Sequence, residues 1–187
     1  MKSTTIIFDT ETTELTKAEG TSLDFQPEMI EIYCLKVKET LKKSGKIKYK
    51  KIDSFHSYLK PQFPIPKYIT KITGIDEYTV ADAPAFLDIF SKLKKFFRNT
   101  DTLVAHNLAF DKRILRYELE RISENSNADF YWPKYDFCTV EQSMHIKGYR
   151  LKNNELYQIA TGKEIVGAHQ AKVDVNATFE SYKFLQR

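Results

Sequence analysis

An apolar run, Thr5-Ile6-Ile7-Phe8, passes directly into the acids of Asp9-Thr10-Glu11-Thr12. A run this short and this rich in β-branched and aromatic residues describes a buried strand, expected over Ile6 to Glu11. Residues two apart in a strand share a face, so Asp9 and Glu11 project side by side from the end of that strand. Adjacent buried carboxylates repel and resist ionisation unless a cation neutralises them. Hard oxygen ligands of this kind suit Mg²⁺ or Mn²⁺. By itself an Asp-x-Glu arises by chance about once in a chain this rich in acids. An exposed strand end with incidental acids explains it equally well.

Downstream, Thr12 to Pro27 turns polar and reads as a loop longer than usual, a candidate mobile segment. Met29 to Val37 alternates like a strand, Leu41 to Gly45 makes a turn, and Ile47 to Leu59 returns, which predicts a β-hairpin. Its lysines (Lys42, Lys43, Lys46, Lys48, Lys50, Lys51) are expected to guard an exposed edge. Pro61, Pro64 and Pro66 break the chain before a short helix at Lys67 to Lys71. Asp82, with Pro84 in the first turn, is expected to cap a helix whose stripe of Phe86, Ile89, Phe90, Leu93, Phe96 and Phe97 is core. Strands are expected at Thr102 to Ala105 and Tyr135 to Cys138. Helices are expected at Ala109 to Ile122, Thr139 to His145, Leu151 to Ala160 and Ala171 to Leu185. Three strands followed by alternating helices and strands predict an α/β fold, a mixed sheet flanked by helices.

The 187 residues, 42% hydrophobic and 29% charged, suit a single domain spanning 1–187 rather than a disordered chain. A net charge of +4 is too mild to identify a nucleic-acid binder, yet a site holding cations and a polyanion needs both signs. Cys34 and Cys138 stand at unrelated positions, which argues against a zinc or disulfide scaffold and for buried thiols. The start of the chain shows no leader, and no stretch approaches membrane-spanning length, so a cytoplasmic protein is expected.

Two further segments carry acids. His106-Asn107-Leu108-Ala109-Phe110-Asp111 follows an apolar strand and opens a helix, placing Asp111 in its first turn. An acid there also answers the helix dipole, but the composite pattern is expected in only about one chain in a thousand. His169-Gln170-Ala171-Lys172-Val173-Asp174 puts a loop histidine just before an acid of the last helix. Such a pair arises by chance in about a quarter of such chains, and His169 read alone is a surface residue.

Taken together in this order, these segments resemble the DEDDh exonucleases of the ribonuclease H-like superfamily, to which proofreading subunits of bacterial replicative polymerases belong. Ile65-Pro66, Ile72-Thr73-Gly74-Ile75 and Leu151, Leu156 and Ala160 extend the likeness over nearly the whole chain. The resemblance implies a mixed five-stranded sheet and two divalent cations, Mg²⁺ or Mn²⁺. It implies one cation on Asp9, Glu11 and Asp174, a second on Asp9 with support from Asp111, and His169 as general base. An imidazole that titrates near neutrality suits that role. The reaction implied is release of nucleoside 5′-monophosphates from the 3′ end of DNA, single-stranded or frayed. Thr10, Glu11, Thr12, Asn107, Phe110, His169 and, less firmly, Ile75 match positions that contact the last nucleotides in relatives. Phe110 is equally served by core packing.

The family has glycine after its paired threonines, whereas Thr12-Thr13 here is followed by Glu14 and the long polar loop, which bears on substrate preference. The chain ends soon after its last helix, which points to a stand-alone enzyme or a loosely attached subunit, with a DNA polymerase among its partners. An RNA or oligoribonucleotide exonuclease, and a non-catalytic nucleic-acid-binding module on the same fold, are the alternatives.

Overall fold

The computed structural model describes residues 2–122 and 130–187. Its strands are β1 (Lys2–Thr12), β2 (Met29–Leu41), β3 (Ile47–Tyr58), β4 (Thr102–Ala105) and β5 (Tyr135–Cys138). Its helices are α1 (Lys67–Thr73), α2 (Glu77–Val80), α3 (Phe86–Phe97), α4 (Leu108–Ile122), α5 (Thr139–Lys147), α6 (Asn153–Thr161) and α7 (Ala171–Leu185). The strands form one sheet in the order β3-β2-β1-β4-β5. β1, β2 and β3 pair antiparallel, while β1, β4 and β5 run parallel.

Alternation along β1 decides which helices cover which face. Ile6 and Phe8 pack with Phe86, Ile89, Leu93, Phe96 and Phe97 of α3 and with Ile114, Leu115 and Leu119 of α4. Ile7 points the other way and packs with Val175, Phe179 and Tyr182 of α7. Every strand neighbouring β1 is thus apolar on both faces, as a sheet covered on both sides requires. Cys34 and Cys138 are buried free thiols. The lysine-rich hairpin ends in β3, the edge strand, and Lys48, Lys50 and Lys51 are exposed.

Two local expectations are corrected, and one helix that the sequence did not announce is present. Asp82 caps nothing: α3 begins four residues later, and it is Asp88 that turns back to accept the Ala85 N–H at 2.9 Å. The short α2, with no apolar periodicity to reveal it, is capped by Asp76, whose carboxylate accepts the Thr79 N–H at 2.8 Å. Helix α6 starts at Asn153 rather than Leu151, because Leu151 is buried ahead of the helix and its carbonyl is engaged by His106. The long loop after β1 is also tied down. The Arg121 guanidinium donates to the carbonyls of Leu23, Gln26 and Pro27 while pairing with Glu118 at 2.6 Å.

Candidate active site

β1 outruns its parallel neighbour. Its pairing with β4 ends at Ile7↔Val104, so Asp9 to Thr12 extend beyond the end of β4 with only β2 beside them. That step in the sheet leaves room for side chains from three helices. α4 starts there, and Asp111 in its first turn accepts the Thr10 N–H at 3.0 Å and the Thr10 hydroxyl at 2.9 Å. Thr10 faces α4, so Asp9 and Glu11, on the opposite face with Ile7, turn toward α7. There they meet Asp174. A register shift between Glu11 and Thr12 marks a bulge beside this cluster, a device that re-aims side chains at strand ends.

Asp174 is held from two sides. Its Oδ2 accepts the His169 N–H at 2.7 Å, and its Oδ1 accepts from the Asn153 amide at 3.2 Å. His169 adopts φ +66°, a left-handed conformation that folds the loop back over the start of α7. Potential ligand atoms of Glu11, His169 and Asp174 all lie within 4.8 Å of one another. Asp9, Glu11, Asp111, Asp174, His169, Thr10, Asn107 and Phe110 line a single cavity of about 720 Å³. A second cavity, about 410 Å³, adjoins it through Thr10, Glu11 and Phe110 and is walled by Thr12, Leu15, Tyr68 and Ile72. Phe110 therefore serves both readings at once, packing against the core and separating the two cavities.

Residues 6–182 match the RNase_T family, described as exonuclease. The chain belongs to the RNase_T exonuclease family. Among relatives of the chain, the DNA polymerase III PolC-type protein of Caldanaerobacter subterraneus is 33% identical over 97% of the chain, and that of Bacillus subtilis 31% over 95%. The chain spans only 12% and 11% of those two proteins. The DNA polymerase III subunit epsilon of Buchnera aphidicola is 28% identical over 71% of the chain and 54% of its own length. Among solved structures, Exonuclease X in complex with 5′ overhanging duplex DNA superposes with a TM-score of 0.60 at 19% identity, covering 97% of this chain and 90% of that one. The zinc-ion-bound form of the E. coli ExoI–ssDNA complex gives 0.67 at 19%, covering 97% and 40%. The fold is the ribonuclease H-like one.

The donor set of the chain fits divalent cations. Burial first, then the charges of Asp111, Glu11 and Asp174, push the Asp9 carboxyl well above its usual range. Glu11 is pushed up to about 8 by burial and by Asp174, Glu31 and Asp111. Burial lifts Asp111 to about 7 although its bonds from Thr10 pull it down, and burial also raises Asp174. Among the described residues no lysine or arginine forms an ion pair with any of the four. Clustered carboxylates without a protein cation are what a metal resolves.

Carboxyls of the unfolded chain titrate near ~4, so between about pH 4 and pH 8 the folded state binds more protons than the unfolded one. Metal-free stability therefore falls as pH rises through that window. The increase in melting temperature on adding saturating Mg²⁺ or Mn²⁺ is expected to be several-fold larger at about pH 8 than at about pH 5.5, since protons and cations compete for the same oxygens. Scanning calorimetry at the two pH values checks it, and an increase independent of pH would place the cations elsewhere.

One predicted participant, Ile75, and one motif residue given no role, His106, stand apart from the site. Ile75 is buried with Ile30, Ile65, Ile69 and Val80 and lines neither cavity. It supports Ile69 from behind, and the exposed wall position belongs to Ile72. His106, within the second motif, has both ring nitrogens engaged, Nδ1 with the Thr139 hydroxyl at 2.9 Å and Nε2 with the Leu151 carbonyl at 3.1 Å. Burial pushes its pKa down to about 4, so it is a neutral tie between β4, α5 and the approach to α6. Sequence reasoning missed Asn153, and with it Arg150, which donates to the Asn107 side chain at 2.9 Å and lines the main cavity. Neither residue belongs to a motif with its own spacing, so no sequence signal pointed to them.

Proposed function

We propose that the chain is one exonuclease domain, a metal-dependent 3′→5′ exonuclease that releases nucleoside 5′-monophosphates from the 3′ end of DNA, single-stranded or frayed. The observation that supports it above all is that four acids and a histidine from three distant segments line one open cavity. In this reading Asp9, Glu11, Asp111 and Asp174 hold two divalent cations, Mg²⁺ or Mn²⁺. Bound there, the cations supply charge stabilisation for the attacking and leaving oxygens of an in-line displacement.

The chain's own groups do the rest. Thr10, Glu11 and Phe110 lie at the junction of the two cavities. The apolar second cavity takes the terminal base against Leu15, Tyr68 and Ile72, leaving the scissile phosphate over the acids. Asn107, in a left-handed conformation at φ +69°, presents its side chain beside Arg150 at the rim, where the next sugar and phosphate pass. His169 accepts the proton of the attacking water as the water oxygen bonds to phosphorus. The phosphorus–O3′ bond breaks and the 3′ oxygen leaves with the electron pair, giving a 5′-monophosphate and a strand shorter by one nucleotide. Asp174, holding the His169 amide, keeps the base beside the acids.

The choice of DNA is supported by the DNA polymerase names of the relatives and by the DNA in both superposed structures. A DNA polymerase is the partner this reading favours, one that delivers a frayed 3′ end. Matched strands of DNA and RNA, labelled at either end, test direction and sugar together. DNA labelled at its 3′ end is expected to yield labelled mononucleotide first, with RNA at least about 10-fold slower in kcat/KM. First release from the 5′ end would overturn the direction, and faster hydrolysis of RNA would overturn the substrate class.

A further inference from the structure

Glu31 is a buried acid that the chemistry above leaves without a role. On β2 it is the direct cross-strand partner of Glu11 on one side and of Tyr58 on the other, and it is 4% exposed. Like charges directly opposite in an antiparallel pair destabilise a sheet. Two glutamates in that relation, one of them buried, work against the stability of the sheet alone, and such local conflicts gather at functional sites.

Both oxygens of Glu31 are engaged. Oε1 lies 2.7 Å from His56 Nε2, which must carry its proton to donate to a carboxylate. Oε2 accepts the backbone N–H of Ala171 at 3.3 Å. Ala171 is fully buried and is the first residue of α7, two residues after His169 and three before Asp174. The free N–H groups of a helix N-terminus attract negative charge. His56 stands on the edge strand with its ring between Tyr33 and Tyr58, at centroid distances of 5.8 and 5.1 Å. One carboxylate thus links β3 to the first turn of α7, beside Glu11.

We propose that Glu31, oriented by His56, is a positioning residue. Its bond to Ala171 fixes the first turn of α7 against the sheet and so sets the separation of Asp174 and His169 from Glu11. The strands are registered by their own ladders, but α7 reaches the cluster through the loop that carries His169. A shift of about 0.5 Å at that turn is enough to loosen the Glu11–His169–Asp174 group. This inference rests on the exonuclease reading of the site. Groups that orient metal ligands from behind typically change metal affinity or activity by about 10–100-fold when removed.

The test compares Glu31→Ala, Glu31→Gln and His56→Ala. It reads Mn²⁺ affinity by electron paramagnetic resonance titration, amide exchange at Ala171, and kcat and KM on a 3′-labelled strand. Glu31→Ala is expected to weaken Mn²⁺ binding and lower kcat by about 10–100-fold, speed exchange at Ala171, and leave KM within about 3-fold. Glu31→Gln keeps an acceptor for the Ala171 N–H and is expected to restore affinity and kcat to within about 5-fold of wild type. His56→Ala should weaken affinity by about 3–10-fold. Wild-type affinity and exchange in Glu31→Ala, or a Gln variant as impaired as the Ala variant, would overturn the proposal. If Glu31→Ala does not fold, the Gln and His56 variants decide. A wild-type protein that binds Mn²⁺ but releases no nucleotide would sink the exonuclease reading alone, and affinity and exchange would still settle the role of Glu31.

Discussion

Asp9→Asn is expected to lower metal-dependent nucleotide release by about 10³-fold or more while raising the melting temperature of the metal-free protein. The two effects have one cause. Burial first, then the charges of Asp111, Glu11 and Asp174, raise the Asp9 pKa. In the proposed reading Asp9 serves both cations, so its loss would damage the whole donor set. Without cations, the neighbouring carboxylates still repel its charge. Asparagine keeps the shape and removes the charge. A relief of about 1 kcal/mol corresponds to roughly 2–4 °C in a domain of this size. Function and stability oppose each other at this position, as they do where a site is built from conflicting charges. Nucleotide release measured with Mg²⁺ and with Mn²⁺, beside calorimetry of the metal-free protein, tests both halves. Retained cleavage would end the metal-cluster reading. Lost cleavage with a lower melting temperature would point instead to a damaged fold.

His169→Asn is the second large effect expected, a fall in kcat of about 10²–10⁴-fold with little change in KM. Asparagine is the informative substitution because position 169 has φ +66°. An L-residue with a Cβ pays for that conformation, and asparagine tolerates it better than alanine does. The bond from the amide of residue 169 to Asp174 should survive, since it is made by the backbone. The variant therefore removes the imidazole and leaves the loop in place. Added imidazole is expected to restore part of the rate if the ring acts only as a proton acceptor. A kcat within about 3-fold of wild type would remove His169 from the chemistry.

Much of the fold was legible from local patterns. The unbroken apolar run of Ile6, Ile7 and Phe8 announced a buried strand, and the aromatic stripe of α3 announced a core-facing helix. α7 begins and ends where its pattern does. The failures are local as well. Asp82 was expected to cap α3, but the chain through Pro84 enters the helix only at Phe86, and Asp88 in its first turn accepts the Ala85 N–H. α2 is too short to show periodicity.

The sequence by itself determined the candidate acids and histidine and part of their geometry. Period-two alternation puts Asp9 and Glu11 on one face, and a strand-to-helix junction puts Asp111 in a first turn, because neighbours within one element are related by backbone geometry alone. Only the tertiary structure decided which groups meet. The early end of β4 leaves Thr10 free to bond Asp111, α7 lies along the Ile7 face so that Asp174 reaches Glu11, and Ile75 turns into the core while Ile72 takes the wall. Glu31 is the sharpest case, an ordinary strand glutamate by sequence that becomes the buried acceptor for a helix 140 residues away. Contacts of that range depend on how sheet and helices stack, and no window of sequence short enough to carry a pattern contains both partners.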